Sequence, residues 1–227
     1  TLYGGLQYSL APQKMEAESK VYEKSDLAGL VRSEYGESGF KDLRNTKDEV
    51  KKIEKTLMDN GFSVKAYLGS KGNAESFVAL NGKSPSIVHI ATHGFYYTPD
   101  EAKDKDFLSG YTDAMSLSGL VFAGGNAAWL GKKNVDGVLG GVLTAKDIAN
   151  LDFKGTDLLV LSACKTGQGK VTAEGVFGLQ RAFKKAGVGT IIMSLWNVDD
   201  KVTSEFMVAF YGQLTDKANN WNKRKAF

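Results

Sequence analysis

The sequence predicts an α/β fold, arranged as a three-layer α/β/α sandwich with a mostly parallel central sheet. Residues 86–92 and 157–163 are short apolar runs without polar alternation, which is typical of strands buried on both faces. Helical patterns alternate with the strands, and the connections are too long for hairpins. A length of 227 residues suits one large domain. We expect residues 1–227 to be a single domain that is a fragment of a longer chain.

The first elements are a strand, a polar segment and a helix. Residues 2–10 alternate and are rich in aromatic side chains, which predicts a strand. Residues 11–41 are polar and show no sustained period, so we expect a loop there. Asn45 or Thr46 can cap a helix in which apolar residues recur at helical spacing, and Gly61 ends that helix.

The middle of the chain contains a strand, a short helix, a buried strand and a long polar segment. Alternation over residues 62–68 predicts the strand, and residues 73–80 predict the helix. The apolar run at 86–92 is the buried strand. Residues 97–141 contain many Gly, Asp and Lys residues, and we interpret them as an insertion or lid that carries one short strand or hairpin at 118–123.

The last third repeats the alternation of helices and strands. Thr144 is a suitable N-cap for a short helix at 145–151, and the buried strand at 157–163 follows it. A helix with one apolar stripe at 173–186 ends at Gly187. The remaining predicted elements are a strand at 189–195, a helix at 199–214 and a basic tail after residue 216 that begins another helix.

Composition limits the class of protein. Hydrophobic residues make up 42% and charged residues 24%, which are values of a globular protein rather than of a disordered or disulfide-rich one. The net charge of +3 is too small to indicate nucleic-acid binding, and no apolar run is long enough to span a membrane. One cysteine cannot form an internal disulfide. We therefore expect a soluble cytoplasmic protein with neither nucleic-acid nor membrane partners.

His93 and Cys164 each follow the carboxyl end of a predicted buried strand. Ligands and reactive groups gather at that edge of a parallel sheet. If the two strands are neighbours, the imidazole can assist the thiol as a nucleophile. The amides of the glycines that follow, Gly94, Gly167 and Gly169, can approach a substrate closely and donate to an oxyanion. The alternative is that Cys164 only fills space in the core.

Metal and phosphate chemistry is disfavoured by residue type and spacing. His89 lies inside a strand among apolar neighbours, which favours a core histidine, and about 13 Å of strand separates it from His93, too far for one metal ion. Residues 164–171 resemble a phosphate-binding loop but lack its first glycine and its Mg²⁺-binding hydroxyl. Lys170 stands where a tyrosine phosphatase loop has arginine. We predict no metal and no cofactor.

Four segments, in this order along the chain, resemble the motifs of the CHAT domain, a family similar to caspases and separases. They are HIATHGF at 89–95, LVLSACKTG at 159–167, EGVFGLQRAF at 174–183 and SLWNVDD at 194–200. The resemblance implies a caspase-like fold and a cysteine endopeptidase that cleaves protein or peptide substrates. It implies Cys164 as the nucleophile and His93 as the base. The amides of Gly94 and Cys164 would form the oxyanion hole, and no third acid is needed.

The resemblance also implies what the substrate pocket recognises. Separases place an acidic residue after a Trp-containing strand to receive a basic side chain, and Trp196 with Asp199 and Asp200 resembles that arrangement. We therefore expect cleavage after Arg or Lys, although both acids also suit the first turn of a helix. CHAT domains are commonly bacterial and follow helical repeats, which implies a helical-repeat regulatory partner. The alternative function is a catalytically silent interaction or regulatory module.

Overall fold

A computed structural model of the protein describes residues 1–24, 27, 38–103, 111–132, 135–162, 173–194 and 199–227, and for residues 173–177 it describes only the backbone. The strands of this part are β1 (Leu2–Leu6), β2 (Ala66–Gly69), β3 (Ile87–Ile90), β4 (Gly94–Tyr96), β5 (Ser118–Val121), β6 (Val142–Thr144), β7 (Leu158–Leu161) and β8 (Thr190–Met193). The helices are α1 (Pro12–Ser19), α2 (Thr46–Asp59), α3 (Ala74–Val78), α4 (Pro99–Lys103), α5 (Gly125–Trp129), α6 (Ala145–Ile148), α7 (Ala173–Lys185), α8 (Asp200–Thr215) and α9 (Lys223–Ala226), with a 3-10 turn at Lys217–Asn219.

The central sheet has five strands in the order β2-β1-β3-β7-β8, and every neighbouring pair is parallel. Helices link its strands, as parallel pairing requires. The predicted α/β class with a mostly parallel central sheet is therefore confirmed. Among the described residues, no helix combines the length and the apolar character that crossing a membrane needs.

Both faces of the central sheet are buried, which explains the uninterrupted apolar runs in its strands. Leu158 and Val160 of β7 pack with α2 and α8 on one face. Leu159 and Leu161 point to the opposite core, which also contains aromatic side chains from α3 and α5. Each fully buried side chain of this size contributes about 1.5–3 kcal/mol. Successive side chains of β7 thus pack alternately into the helices on the two faces of the sheet, which joins the three layers of the sandwich.

The segment 97–141, interpreted as an insertion, contributes to a second sheet. Strand β5 lies within it and pairs antiparallel with β4 on one side and β6 on the other, so the single strand or hairpin expected there is the centre of a three-stranded sheet. Phe122 and Trp129 are fully buried. The described second half of the segment is therefore built into the core, and a lid function for the segment stays a prediction.

Three predictions about local structure were wrong, and the first is the strand at 2–10, which ends at Leu6. Residues 12–19 form helix α1 rather than a loop, with proline in the first turn and an ion pair of 2.8 Å between Lys14 and Glu18. The helix buries only Met15 and Ser19, so it shows almost no apolar period. Strand β2 is shorter than the predicted 62–68 at its start, because pairing with β1 begins where Leu2 faces Ala66.

Candidate functional site

The two strands that lead to the predicted dyad are direct neighbours in the central sheet. Ile90 at the end of β3 is paired with Leu161 at the end of β7, and the Ser162 amide donates to the Ile90 carbonyl at 3.0 Å. His93 and Cys164 each follow three residues after these paired ends. The condition for the predicted dyad, that the two strands are neighbours, is thus met. Cys164 itself lies outside the described residues, as do Gly167 and Gly169.

A backbone carbonyl fixes the tautomer of His93. Its Nε2 lies 2.7 Å from the carbonyl oxygen of Lys41, which can only accept a hydrogen bond. Nε2 therefore carries the proton, and in a neutral imidazole the lone pair is then on Nδ1. This contact leaves no signal in the sequence, because any residue supplies a carbonyl and Lys41 lies in a segment without a recognisable pattern.

Two aromatic rings pack against the His93 imidazole. The ring centre of Tyr8 lies 4.8 Å from that of His93, and the ring centre of Phe40 lies 4.9 Å from it. The Tyr8 hydroxyl and the Thr92 hydroxyl are 3.0 Å apart, and burial raises the pKa of Tyr8, so this phenol stays neutral. His93 is only 5% exposed. The imidazole is thus held in one orientation and largely shielded from water.

The pairing of β4 with β5 sets the direction of the Gly94 amide. The Val121 amide donates to the His93 carbonyl at 2.9 Å, so residues 93 and 121 form a hydrogen-bonded pair. The next pair, Gly94 and Leu120, is then of the non-hydrogen-bonded kind, because the two kinds alternate in an antiparallel ladder. The Gly94 amide consequently points away from β5. A role of this amide as an oxyanion donor stays a prediction.

A cavity of about 510 Å³ opens beside His93 and contains one of the predicted substrate-binding acids. Residues 38–45, His93 and Asp200 line it. The Asp200 carboxylate accepts hydrogen bonds from the side-chain amide of Asn45 at 3.0 Å and from its backbone amide at 3.3 Å. Asp199 instead caps α8, where it accepts from two backbone amides. Trp196 lies outside the described residues.

The chain matches the CHAT domain family over residues 11–226, nearly its whole length. It belongs to the CHAT domain family. This CHAT domain has the caspase-like sandwich described above, with its parallel five-stranded sheet. The predictions of bacterial origin and of a cytoplasmic location remain predictions.

Two curated proteins are similar to part of this CHAT domain. One is human Tetratricopeptide repeat protein 28, 40% identical over 73 residues, and the other is mouse Tetratricopeptide repeat protein 28, 38% identical over 73 residues. The matched segment covers 32% of this chain and 3% of each relative. The CHAT domain therefore spans only a small part of the length of these relatives.

The second histidine of the CHAT domain lies in the core, behind the sheet. His89 is fully buried, and its Nε2 is 3.0 Å from Glu49 Oε1 on α2. The same oxygen accepts the hydroxyl hydrogen bond of Ser162. The described residues contain no group of three potential metal ligands. His89 therefore has a structural position, as its apolar neighbours in the strand indicated.

Proposed function

We propose that this CHAT domain is a cysteine endopeptidase in which Cys164 is the nucleophile and His93 is the base. The observation that carries the proposal is the arrangement of β3 and β7, which are paired in register and end three residues before His93 and Cys164. The Lys41 carbonyl adds to it, because it places the lone pair of neutral His93 on Nδ1. A base needs that lone pair to accept the thiol proton.

The proposed reaction proceeds in two stages. His93 Nδ1 takes the proton of the Cys164 thiol, and the thiolate attacks the carbonyl carbon of the scissile peptide bond. The amides of Gly94 and Cys164 donate to the oxyanion, and each such donor is typically worth about 2.7–4 kcal/mol. The C–N bond then breaks as His93 returns the proton to the leaving amine. Water, deprotonated by His93, attacks the thioester, the C–S bond breaks to release the acid, and the Cys164 thiolate regains its proton from His93.

We further propose that Asp200 recognises an Arg or Lys side chain of the substrate. The acid lines the cavity next to His93, and its described hydrogen-bond donors are the neutral amides of Asn45. These amides orient the carboxylate without neutralising its charge. Asp42 adds a second acid to the lining, while Lys41 and Arg44 add two bases whose side chains are exposed.

Control by helical repeats is also part of the proposal. The curated relatives are named as tetratricopeptide repeat proteins, and this chain matches only 3% of their length. We place a helical-repeat region elsewhere in the full-length protein as the partner that controls this site.

A cleavage-site profile tests the catalytic proposal. The chain is incubated with a mixed peptide library, and the new termini are identified by mass spectrometry. We expect cleavage after Arg or Lys and its loss in Cys164→Ala and in His93→Ala, with folding checked by circular dichroism. Unchanged hydrolysis by Cys164→Ala would disprove the proposal. No cleavage, together with a Cys164 thiol that alkylates no faster than free cysteine, would favour a silent regulatory module.

A pair of neighbouring acids provides a matched test of specificity. Asp200→Asn removes the charge in the cavity, whereas Asp199→Asn removes a charge one residue away and keeps a good helix cap. We expect Asp200→Asn to lower kcat/KM for Arg and Lys substrates by at least tenfold, and Asp199→Asn to leave it nearly unchanged. An equal effect of the two substitutions would contradict a specific role for Asp200.

A further inference from the structure

We infer that Asn126 on α5 is a positioning residue for His93, acting through the backbone of residues 40 and 41. The inference rests on the proposed function, because it concerns His93 as the base of that reaction. Asn126 is 7% exposed. Its Oδ1 accepts from the Phe40 amide at 2.7 Å, and its Nδ2 donates to the Phe40 carbonyl at 2.9 Å and to the Ser9 hydroxyl at 2.9 Å.

The side-chain amide of Asn126 binds Phe40 as a neighbouring strand would. It satisfies both the N–H and the C=O of that residue, so two hydrogen bonds fix the direction of the chain there. The carbonyl that receives the His93 N–H belongs to the next residue, Lys41. A continuous path therefore leads from Asn126 to His93. Hydrogen bonds join Asn126 to Phe40, the chain joins Phe40 to Lys41, and a hydrogen bond joins Lys41 to His93.

Helix α5 also holds the side chain of Phe40. The ring centre of Trp129 lies 4.6 Å from that of Phe40, whose ring packs in turn on His93 at 4.9 Å. The Asn126 amide donates to the Tyr8 carbonyl at 3.0 Å, which attaches α5 to the chain that follows β1. Helix α5 thus contacts both the backbone and the ring of Phe40.

A glycine next to Phe40 permits this close approach. A Cβ at Gly39 would lie 3.0 Å from the amide atoms of Asn126, which is tighter than ordinary van der Waals contact. The helix that provides Asn126 belongs to the segment 97–141. Through Asn126, this segment therefore contributes to the His93 side of the proposed dyad.

Asn126→Asp is the most direct test, because it keeps the shape and one acceptor but removes both donors. The Asp carboxylate would face the Phe40 carbonyl oxygen, and the two acceptors would repel each other. Since the chain has two histidines, nitrogen-15 NMR can assign the tautomer of each side chain. We expect His93 to be protonated at Nε2 in the unmodified protein and to become a mixture of tautomers in Asn126→Asp, with His89 unchanged. We also expect kcat on a cleaved peptide to fall about 10²-fold with a smaller change in KM.

Asn219→Asp is the matched control. Asn219 is 9% exposed and donates two hydrogen bonds to Gln213, one to its carbonyl at 2.8 Å and one to its side-chain oxygen at 3.2 Å. The substitution therefore removes the same number of donors in the C-terminal part of the chain. We expect it to leave the His93 tautomer and kcat unchanged.

A folded Asn126→Asp variant that retains the Nε2 proton on His93 and an unchanged kcat would overturn the inference. If Asn126→Asp does not fold, Gly39→Ala serves instead, because Gly39 is exposed and its new methyl group must displace the Asn126 amide by only a few tenths of an ångström. We expect a smaller change of the His93 tautomer in the same direction. A His93 tautomer that is unchanged in Gly39→Ala would refute the inference. If the unmodified protein cleaves no peptide, the proposed function fails, and the tautomer of His93 alone decides the inference.

Discussion

Replacing Glu49 by alanine tests the buried polar cluster that joins α2 to the ends of two central strands. Glu49 is 1% exposed, and one carboxylate oxygen accepts from the Ser162 hydroxyl and lies 3.0 Å from His89 Nε2, without the alignment of a hydrogen bond. The Tyr211 hydroxyl is buried nearby and has no hydrogen-bond partner among the described residues. Burial, and secondarily the charge of Glu49, raise the pKa of that phenol. The carboxylate is therefore the main acceptor in this part of the core.

The expected loss of stability follows from what remains after the carboxylate is removed. The Ser162 hydroxyl loses its acceptor and the His89 imidazole loses its charged neighbour, and an unsatisfied buried polar group costs about 1–3 kcal/mol. We therefore expect Glu49→Ala to lower the free energy of unfolding by about 1–3 kcal/mol, a substantial part of a typical total of about 5–15 kcal/mol.

Urea denaturation followed by circular dichroism measures this loss. Glu54→Ala, a partly exposed position on the same helix, is the control, with an expected effect within about 0.5 kcal/mol. Ser162→Ala should cost less in the Glu49→Ala background than alone, by at least about 0.5 kcal/mol, because the two residues interact. A loss in Glu49→Ala no larger than that of the control, or additive effects of Glu49→Ala and Ser162→Ala, would rule out this role of the Glu49 carboxylate.

Further predictions concern a buried acid and two glycines. Burial raises the pKa of Glu75, although its carboxylate accepts a hydrogen bond from the Leu139 amide. The folded state therefore binds the proton more tightly than the unfolded state does. Stability is consequently lost as the pH rises from the unfolded pKa through the folded pKa of this carboxyl group. Glu75→Gln should therefore gain stability over the unmodified protein at neutral pH and lose this gain as pH falls into the usual range of glutamate; a difference in urea midpoints that does not vary with pH would contradict this. A Cβ at Gly4 would lie 2.6 Å from the Val50 side chain, so Gly4→Ala should destabilise by about 1–3 kcal/mol in a thermal or urea melt. Gly212 on α8 has open space around it, so Gly212→Ala should stabilise by about 0.5–1 kcal/mol. A stabilising Gly4→Ala or a destabilising Gly212→Ala would contradict these expectations.

The sheet could be predicted from the sequence because burial on both faces leaves a local signal. Strands β3 and β7 need apolar side chains at successive positions, and the runs at 86–92 and 157–163 contain them. Parallel strands also end at one edge, so His93 and Cys164 after these runs were expected at the same edge, with the imidazole near the thiol if the two strands were neighbours. The pairing of Ile90 with Leu161 shows that the two strands are neighbours.

Helix α1 and the contacts of the segment before α2 could not be predicted in the same way. Helix α1 is stabilised at its surface by ion pairs of Lys14 with Glu18 and of Glu16 with Lys20, and such a helix has no apolar face to detect. The bond from His93 to the Lys41 carbonyl joins residues 52 positions apart. A carbonyl is present at every residue, so nothing in the local sequence marks the one that is used.

This use of the main chain explains why a dyad without a third acid is physically reasonable here. An orienting group must select the tautomer of the base and hold its ring, and the Lys41 carbonyl together with the rings of Tyr8 and Phe40 meets both needs. The carbonyl is independent of the side chain at position 41, which is exposed. The order of the site therefore depends on the groups that hold this stretch of backbone, above all Asn126, rather than on the identity of residue 41.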